Sequence, residues 1–183
     1  MKKTLKMMVF AVLAFGLFAC GGNGKKLTVE DMRDAQATLF NADMTLNEKE
    51  APKVAKKYCK YVEQNPNDTS VVKWLYHAME INVMLKDVDK SEKLCEQLLQ
   101  QYPQSKWAPM SLLMMGSFVY EDILNDTAQA HAAYQRLIDN YPESDLVDDA
   151  QKSIEFLGLT NEERMSRIMM SQMDDGEEVS WED

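Results

Sequence analysis

The tetrad Tyr102-Pro103-Gln104-Ser105 returns as Tyr141-Pro142-Glu143-Ser144, and no other feature constrains this chain so tightly. The likeness extends upstream. Cys95, Leu98 and Leu99 precede the first proline at the offsets at which Tyr134, Leu137 and Ile138 precede the second. A weaker third copy places Tyr58, Tyr61 and Val62 before Asn65-Pro66. The three prolines stand 37 and 39 residues apart. A period of that size marks a stack of helical repeats, each a helix pair that cannot bury its apolar face alone.

Composition agrees with a helical chain. β-branched residues are sparse, whereas Leu, Met, Ala, Glu, Lys and Gln, which lose little entropy in a helix, are plentiful. The fold class expected is all-α, with about eight helices in antiparallel pairs. Thr28 caps a first helix carrying Met32, Ala35, Leu39 and Phe40 and running to about Ala42. Asn47 with Glu50 opens a second, which stops before Pro66 because a residue preceding proline avoids the α region. Asp68 or Thr69 opens a third, to about Leu85, and Asp87 or Asp89 a fourth, to Tyr102. The fifth runs from about Ser105 to Leu124 and tolerates Pro109 only in its first turn. Asp126 starts the sixth, Ser144 precedes the seventh, and Gly158 closes it. Thr160 and Glu163 form a capping box for an eighth helix with Met165, Ile168 and Met169 on one stripe.

Ala130-x3-Tyr134-x7-Pro142 resembles the second helix of a tetratricopeptide repeat. Leu112-x2-Met115-Gly116-x2-Val119 and Trp74-x2-His77-Ala78-x2-Ile81 resemble its first helix, with Gly116 and Ala78 at the small position where paired helices approach closest. The resemblance spans roughly residues 48 to 158 and implies a right-handed superhelix of the paired helices. Both periods exceed the family's about 34 residues, so helices or turns are lengthened. The ligand-facing positions that the resemblance implies for the first helices are Val72, Leu75, Met79 and Asn82, then Met110, Leu113, Ser117 and Tyr120. Such an apolar, Met-bearing groove suits an amphipathic helix or an extended hydrophobic segment. Two occupants stand open: a protein partner, or the chain's own first helix or Met165–Met173 helix.

The start of the chain reads as a leader. Lys2, Lys3 and Lys6 precede an apolar run from Met7 to Phe18, too short for a comfortable membrane span. Leu17-Phe18-Ala19-Cys20 resembles a bacterial lipoprotein lipobox. The resemblance implies a signal peptide over 1–19, a lipidated Cys20, and a flexible tether over 20–27. Several acyl chains hold a protein on a membrane without a spanning helix. No Asp or acidic cluster follows Cys20, which favours the periplasmic leaflet of an outer membrane. The whole pattern looks most like the tetratricopeptide-repeat lipoproteins of bacterial outer membranes, in the style of the β-barrel assembly lipoprotein and the Tol–Pal-associated coordinator. That resemblance implies a non-catalytic scaffold for proteins of the cell envelope. Exposed ends of a short solenoid also permit a homo-oligomer.

The helical domain is expected over 28–173, followed by an acidic tail over 174–183, disordered or a short docking motif built on Val179 and Trp181. Removing the leader leaves 17 basic against 30 acidic residues, a net charge of about −13. So acidic a surface repels phosphate backbones and makes nucleic acid an improbable partner. No phosphate-binding loop, nucleophile elbow or metal-binding histidine pair occurs, and no cofactor or metal is expected. His77 and His131 fall on different helices, away from ligand spacing. Cys59 and Cys95 fall at nearly equivalent places in successive second helices. Axes there lie about 8–10 Å apart, beyond the about 7 Å that a disulfide spans, so both are read as free thiols.

Overall fold

A computed structural model describes residues 25–174. The leader, Cys20, the first part of the tether and the segment 175–183 with Val179 and Trp181 lie outside these residues. The described chain is all-α: α1 (Val29–Gln36), α2 (Ala51–Gln64), α3 (Val71–Met84), α4 (Val88–Gln101), α5 (Trp107–Met114), α6 (Thr127–Asn140), α7 (Val147–Phe156) and α8 (Asn161–Asp174). α5 continues without a break into a π-helix, Met115–Ile123. From α1 to α7 each helix packs on the next, and α3 also touches α5 while α4 touches the π-helix, so successive pairs stack as in a tetratricopeptide-like superhelix. No helix of the described residues is long and apolar enough to cross a membrane.

The recurring tetrad is a recurring joint. Asn65, Tyr102 and Tyr141 end their helices in nearly one backbone conformation, with φ of −129°, −134° and −134° and ψ of 50°, 49° and 53°. The next proline cannot donate the bond that would extend the helix. The chain then turns through Ser105 N–H to Tyr102 O and Ser144 N–H to Tyr141 O, at 3.0 and 2.9 Å. Each serine hydroxyl then accepts a backbone N–H two residues on, from Trp107 or Leu146, at 3.0 and 3.3 Å. Asp68 takes the same place in the upstream copy, accepting from Ser70 N–H at 2.7 Å.

The turn inside each repeat is equally regular. Lys86 and Asn125 adopt left-handed φ of 57° and 51°. The aspartate after each, Asp87 or Asp126, accepts backbone N–H bonds in the first turn of α4 or α6. These turns lie 39 residues apart, yet Ala78 and Gly116 at the close approach lie only 38 apart. One extra residue therefore enters the second repeat between them. The π-helix absorbs it, visible where Leu124 N–H reaches back five residues to Val119 O at 2.9 Å.

α1 is shorter than the pattern predicts, ending at Gln36 rather than near Ala42. Thr38 and Leu39 bond back only three residues, and Asp43 draws Thr45 into a turn through its backbone N–H and hydroxyl. Met44 at φ 66° completes the reversal into an isolated bridge between Phe40 and Leu46. Leu39 reaches the core nonetheless. That core is continuous from Met32 to Ala150, with Tyr58, Tyr61, Trp74, Leu98, Tyr134 and Leu137 nearly inaccessible.

Candidate functional site

Of the eight positions that the repeat frame assigns to a ligand, Leu75, Met79 and Asn82 are core residues, 1%, 0% and 4% exposed. The frame is corrected there. α3 is packed by α2, α4 and α5, so its solvent-facing strip is Lys73, His77, Glu80 and Met84. Asn82 spends its amide on Ala78 O at 2.7 Å. Val72, Met110, Leu113, Ser117 and Tyr120 are half-buried. Tyr120 has also left the frame. It donates to Glu92 Oε1 of α4 at 3.1 Å, on the side of the stack where α4 and α6 meet.

Leu113 and Ser117 do come together, in a cleft of about 510 Å³ between the α5–π helix and α7. Phe118, Glu121 and Asp122 complete one wall, while Asp149, Lys152, Ser153 and Phe156 supply the other. Arg164, at the start of α8, closes one end and pairs with Glu121 Oε2 at 3.1 Å. Phe118 is 53% exposed, a large apolar side chain offered to solvent. The repeat frame passed over it, although it shares its register with the solvent-facing Glu80 of α3. That shared register was the available signal.

Behind the cleft the wall is held rigid. The Tyr134 hydroxyl donates to Glu121 Oε1 at 2.6 Å and lies 2.9 Å from Ser117 Oγ. Burial first, and the Glu121 carboxylate second, push the Tyr134 phenol up to about 12. A Cβ on Gly116 would stand 2.4 Å from the Tyr134 ring, so glycine is what lets α6 approach the π-helix. The chain ordered by this network is the one that presents Phe118.

A second hollow, of about 330 Å³, opens between α4 and α6 and is lined by Glu92, Cys95, Glu96, Tyr120 and Arg136. Arg136 pairs with Glu96 and, through its side-chain bond, holds that carboxyl below the usual range. Cys95 lies 3.5 Å from Ser111 Oγ, and burial pushes its thiol up to about 11. A thiol so protonated is a poor nucleophile near neutral pH. Cys59 is likewise raised by burial, and both cysteines are free.

Neither histidine joins a catalytic constellation in the described residues. His77 Nδ1 lies 2.8 Å from Glu80, and the ring sits 5.8–5.9 Å from those of Trp74, Tyr76 and Trp107. It belongs to an aromatic cluster that joins α3 to α5. His131 is exposed on α6. No group of three His, Cys, Asp or Glu among the described residues is arranged to hold a metal ion.

α8 differs from the other helices. Met165, Met169 and Met170 are 61%, 61% and 66% exposed. The helix is tied to the body by Arg164, through Glu121 and Leu159 O, and by Arg167, through Glu155 O. These three methionines are surface, not the filling of a groove.

Compared with known proteins, residues 75–105 and 110–144 match the family model described as tetratricopeptide repeat. These two segments are tetratricopeptide repeats. They correspond to the pairs α3–α4 and α5–α6, with the first-helix and second-helix assignments expected from the sequence. Neither the curated proteins nor the solved structures gave a match. Repeats of this kind suggest a scaffold for protein–protein interaction.

Proposed function

We propose that this chain is a non-catalytic adaptor lipoprotein. Acylated Cys20 anchors it to the periplasmic face of an outer membrane, where its repeats present a docking surface to a protein of the cell envelope. The observation that carries this reading is the open cleft beside the second repeat, where Phe118 stands exposed on a wall that Tyr134 and Glu121 hold rigid. An outer-membrane assembly, secretion or envelope-maintenance complex is the setting that the lipobox and the repeats together favour.

Near the anchor the chain is pinned. Leu27 N–H donates to Gln64 Oε1 at 2.9 Å, and Asn65 Nδ2 donates to Leu27 O at 3.3 Å. The seven residue steps from Cys20 to Leu27 span at most about 25 Å when extended. A lipid on Cys20 would therefore hold the end of α2 near the bilayer and leave the cleft on the far repeats free for a partner.

The test is affinity isolation of the full chain from envelopes solubilised in mild detergent, beside its Phe118→Asp variant. One or more envelope proteins should accompany the native chain and be depleted with the variant. The same proteins at the same yield from both would remove the cleft as the docking site.

Homo-oligomerisation is the second reading. Phe40 and Met44 are exposed in the loop after α1, Met84 at the end of α3, and Met165 and Met169 near the other end, and apolar ends of a solenoid can cap one another. A mass that grows with concentration in light scattering supports it, and a strict monomer at high concentration refutes it.

A further inference from the structure

Charge is distributed very unevenly along this molecule. Residues 25–64 carry eight basic and seven acidic side chains, whereas residues 65–174 carry nine basic and eighteen acidic. In the walls of the cleft between the α5–π helix and α7 stand the exposed Asp122 and Asp149, while Asp148 and Glu155 are exposed elsewhere on α7. Lys152 is the only base in the walls besides Arg164, which Glu121 already neutralises. Beside these two aspartates lie Leu113, Phe118 and Phe156, and the exposed Met165 follows directly on Arg164.

We infer that the cleft takes a basic amphipathic segment of a partner protein, its apolar side chains against Phe118 and Phe156 and its lysines or arginines against Asp122 and Asp149. The inference rests on the adaptor reading and specifies the chemistry of the partner. Phe and Met side chains make a surface that accepts varied apolar shapes, and a wall with a net excess of acid selects among segments by charge. The chain's own end is a poor occupant on the same grounds, since residues 175–183 bring five acids and no base. Two copies joined cleft to cleft would oppose like charges.

The probe is a pair of 18-residue model peptides with one apolar leucine face, the polar face lysine in one and glutamate in the other. The full chain, purified in non-ionic detergent, carries benzoylphenylalanine at position 118, so that a covalent product reports occupancy of the cleft rather than partition into micelles. The lysine peptide should be captured at least tenfold more efficiently than the glutamate peptide, and less so as salt rises. Asp122→Asn with Asp149→Asn, two exposed positions that leave the core untouched, should cut its capture about two- to fivefold per charge removed. Equal capture of both peptides overturns the charge selection while leaving the adaptor reading in place. Crosslinks from one chain to another in place of peptide overturn it in favour of a second copy. Capture of neither peptide overturns it too, and the adaptor reading falls with it only if the same position also captures no protein in cells.

Discussion

Replacing Gly116 by Ala should destabilise the protein, although helix propensity alone predicts the reverse. Alanine in a helix is favoured over glycine by about 1 kcal/mol. Here the added Cβ would lie 2.4, 2.7 and 2.9 Å from Cε1, Cζ and Cδ1 of Tyr134, all closer than real contacts allow. The ring cannot simply swing aside. It is fully buried, and its hydroxyl is bonded to Glu121 and close to Ser117. Either α6 moves away from the π-helix or the Glu121 bond breaks. Overpacking and a strained charge-assisted bond together cost about 3 kcal/mol, so the net loss is about 2 kcal/mol. For a chain of this size that lowers Tm by about 4–8 °C in a calorimetric scan. Tyr134→Phe frees the ring from its tether, so the loss should shrink in that background, the non-additivity expected of neighbours in contact. Unchanged or increased stability of Gly116→Ala would refute the claim that glycine is there to admit Tyr134.

Stability should also fall in alkali. The Cys95 thiol is raised from 9.0 to about 11 and the Tyr134 phenol from 10.0 to about 12, so their contribution is complete below pH 9 and is lost as the unfolded chain deprotonates first. Denaturant midpoints at pH 8 and pH 10.5 should show the drop, and Cys95→Ala should lessen it; a midpoint independent of pH contradicts the burial of these groups. Arg164→Ala removes the links of α8 to Glu121 and Leu159, and hydrogen exchange should quicken in α8 while α3 to α6 keep their protection. Cys20→Ala should release the protein from membranes, and attachment that survives high salt would count against the lipid anchor. Leu98→Ala, at a fully buried position in α4, should cost about 2–5 kcal/mol by denaturation, and a loss within 0.5 kcal/mol or so would mean the repeats do not share one core.

The joints were legible because their causes are local. A proline fixes where a helix stops, and a serine or aspartate at a fixed offset fixes how the chain turns, so Asn65, Tyr102 and Tyr141 could be located from the sequence alone. The π-helix was recorded only indirectly, in the change of the repeat offset from 38 to 39 between Gly116 and Asn125. Burial of Leu75, Met79 and Asn82 depends on how α2, α4 and α5 together settle against α3, the last through Tyr76 and Trp107, whose ring centroids are 4.8 Å apart. No spacing within α3 encodes that. The exposed methionines of α8 look in sequence like any core stripe, because Met165, Ile168 and Met169 have the right period. What distinguishes them is that α8 has no helix packed across it as extensively as those in the stack.

The central claim is that the cleft beside Phe118 receives another protein. Benzoylphenylalanine at position 118 preserves the aromatic ring and reaches from the cleft wall, so irradiation of intact cells followed by mass spectrometry tests it directly. The account predicts a reproducible covalent product with a second, different protein. Crosslinks confined to this chain's own residues near Phe156 and Met165 would contradict it.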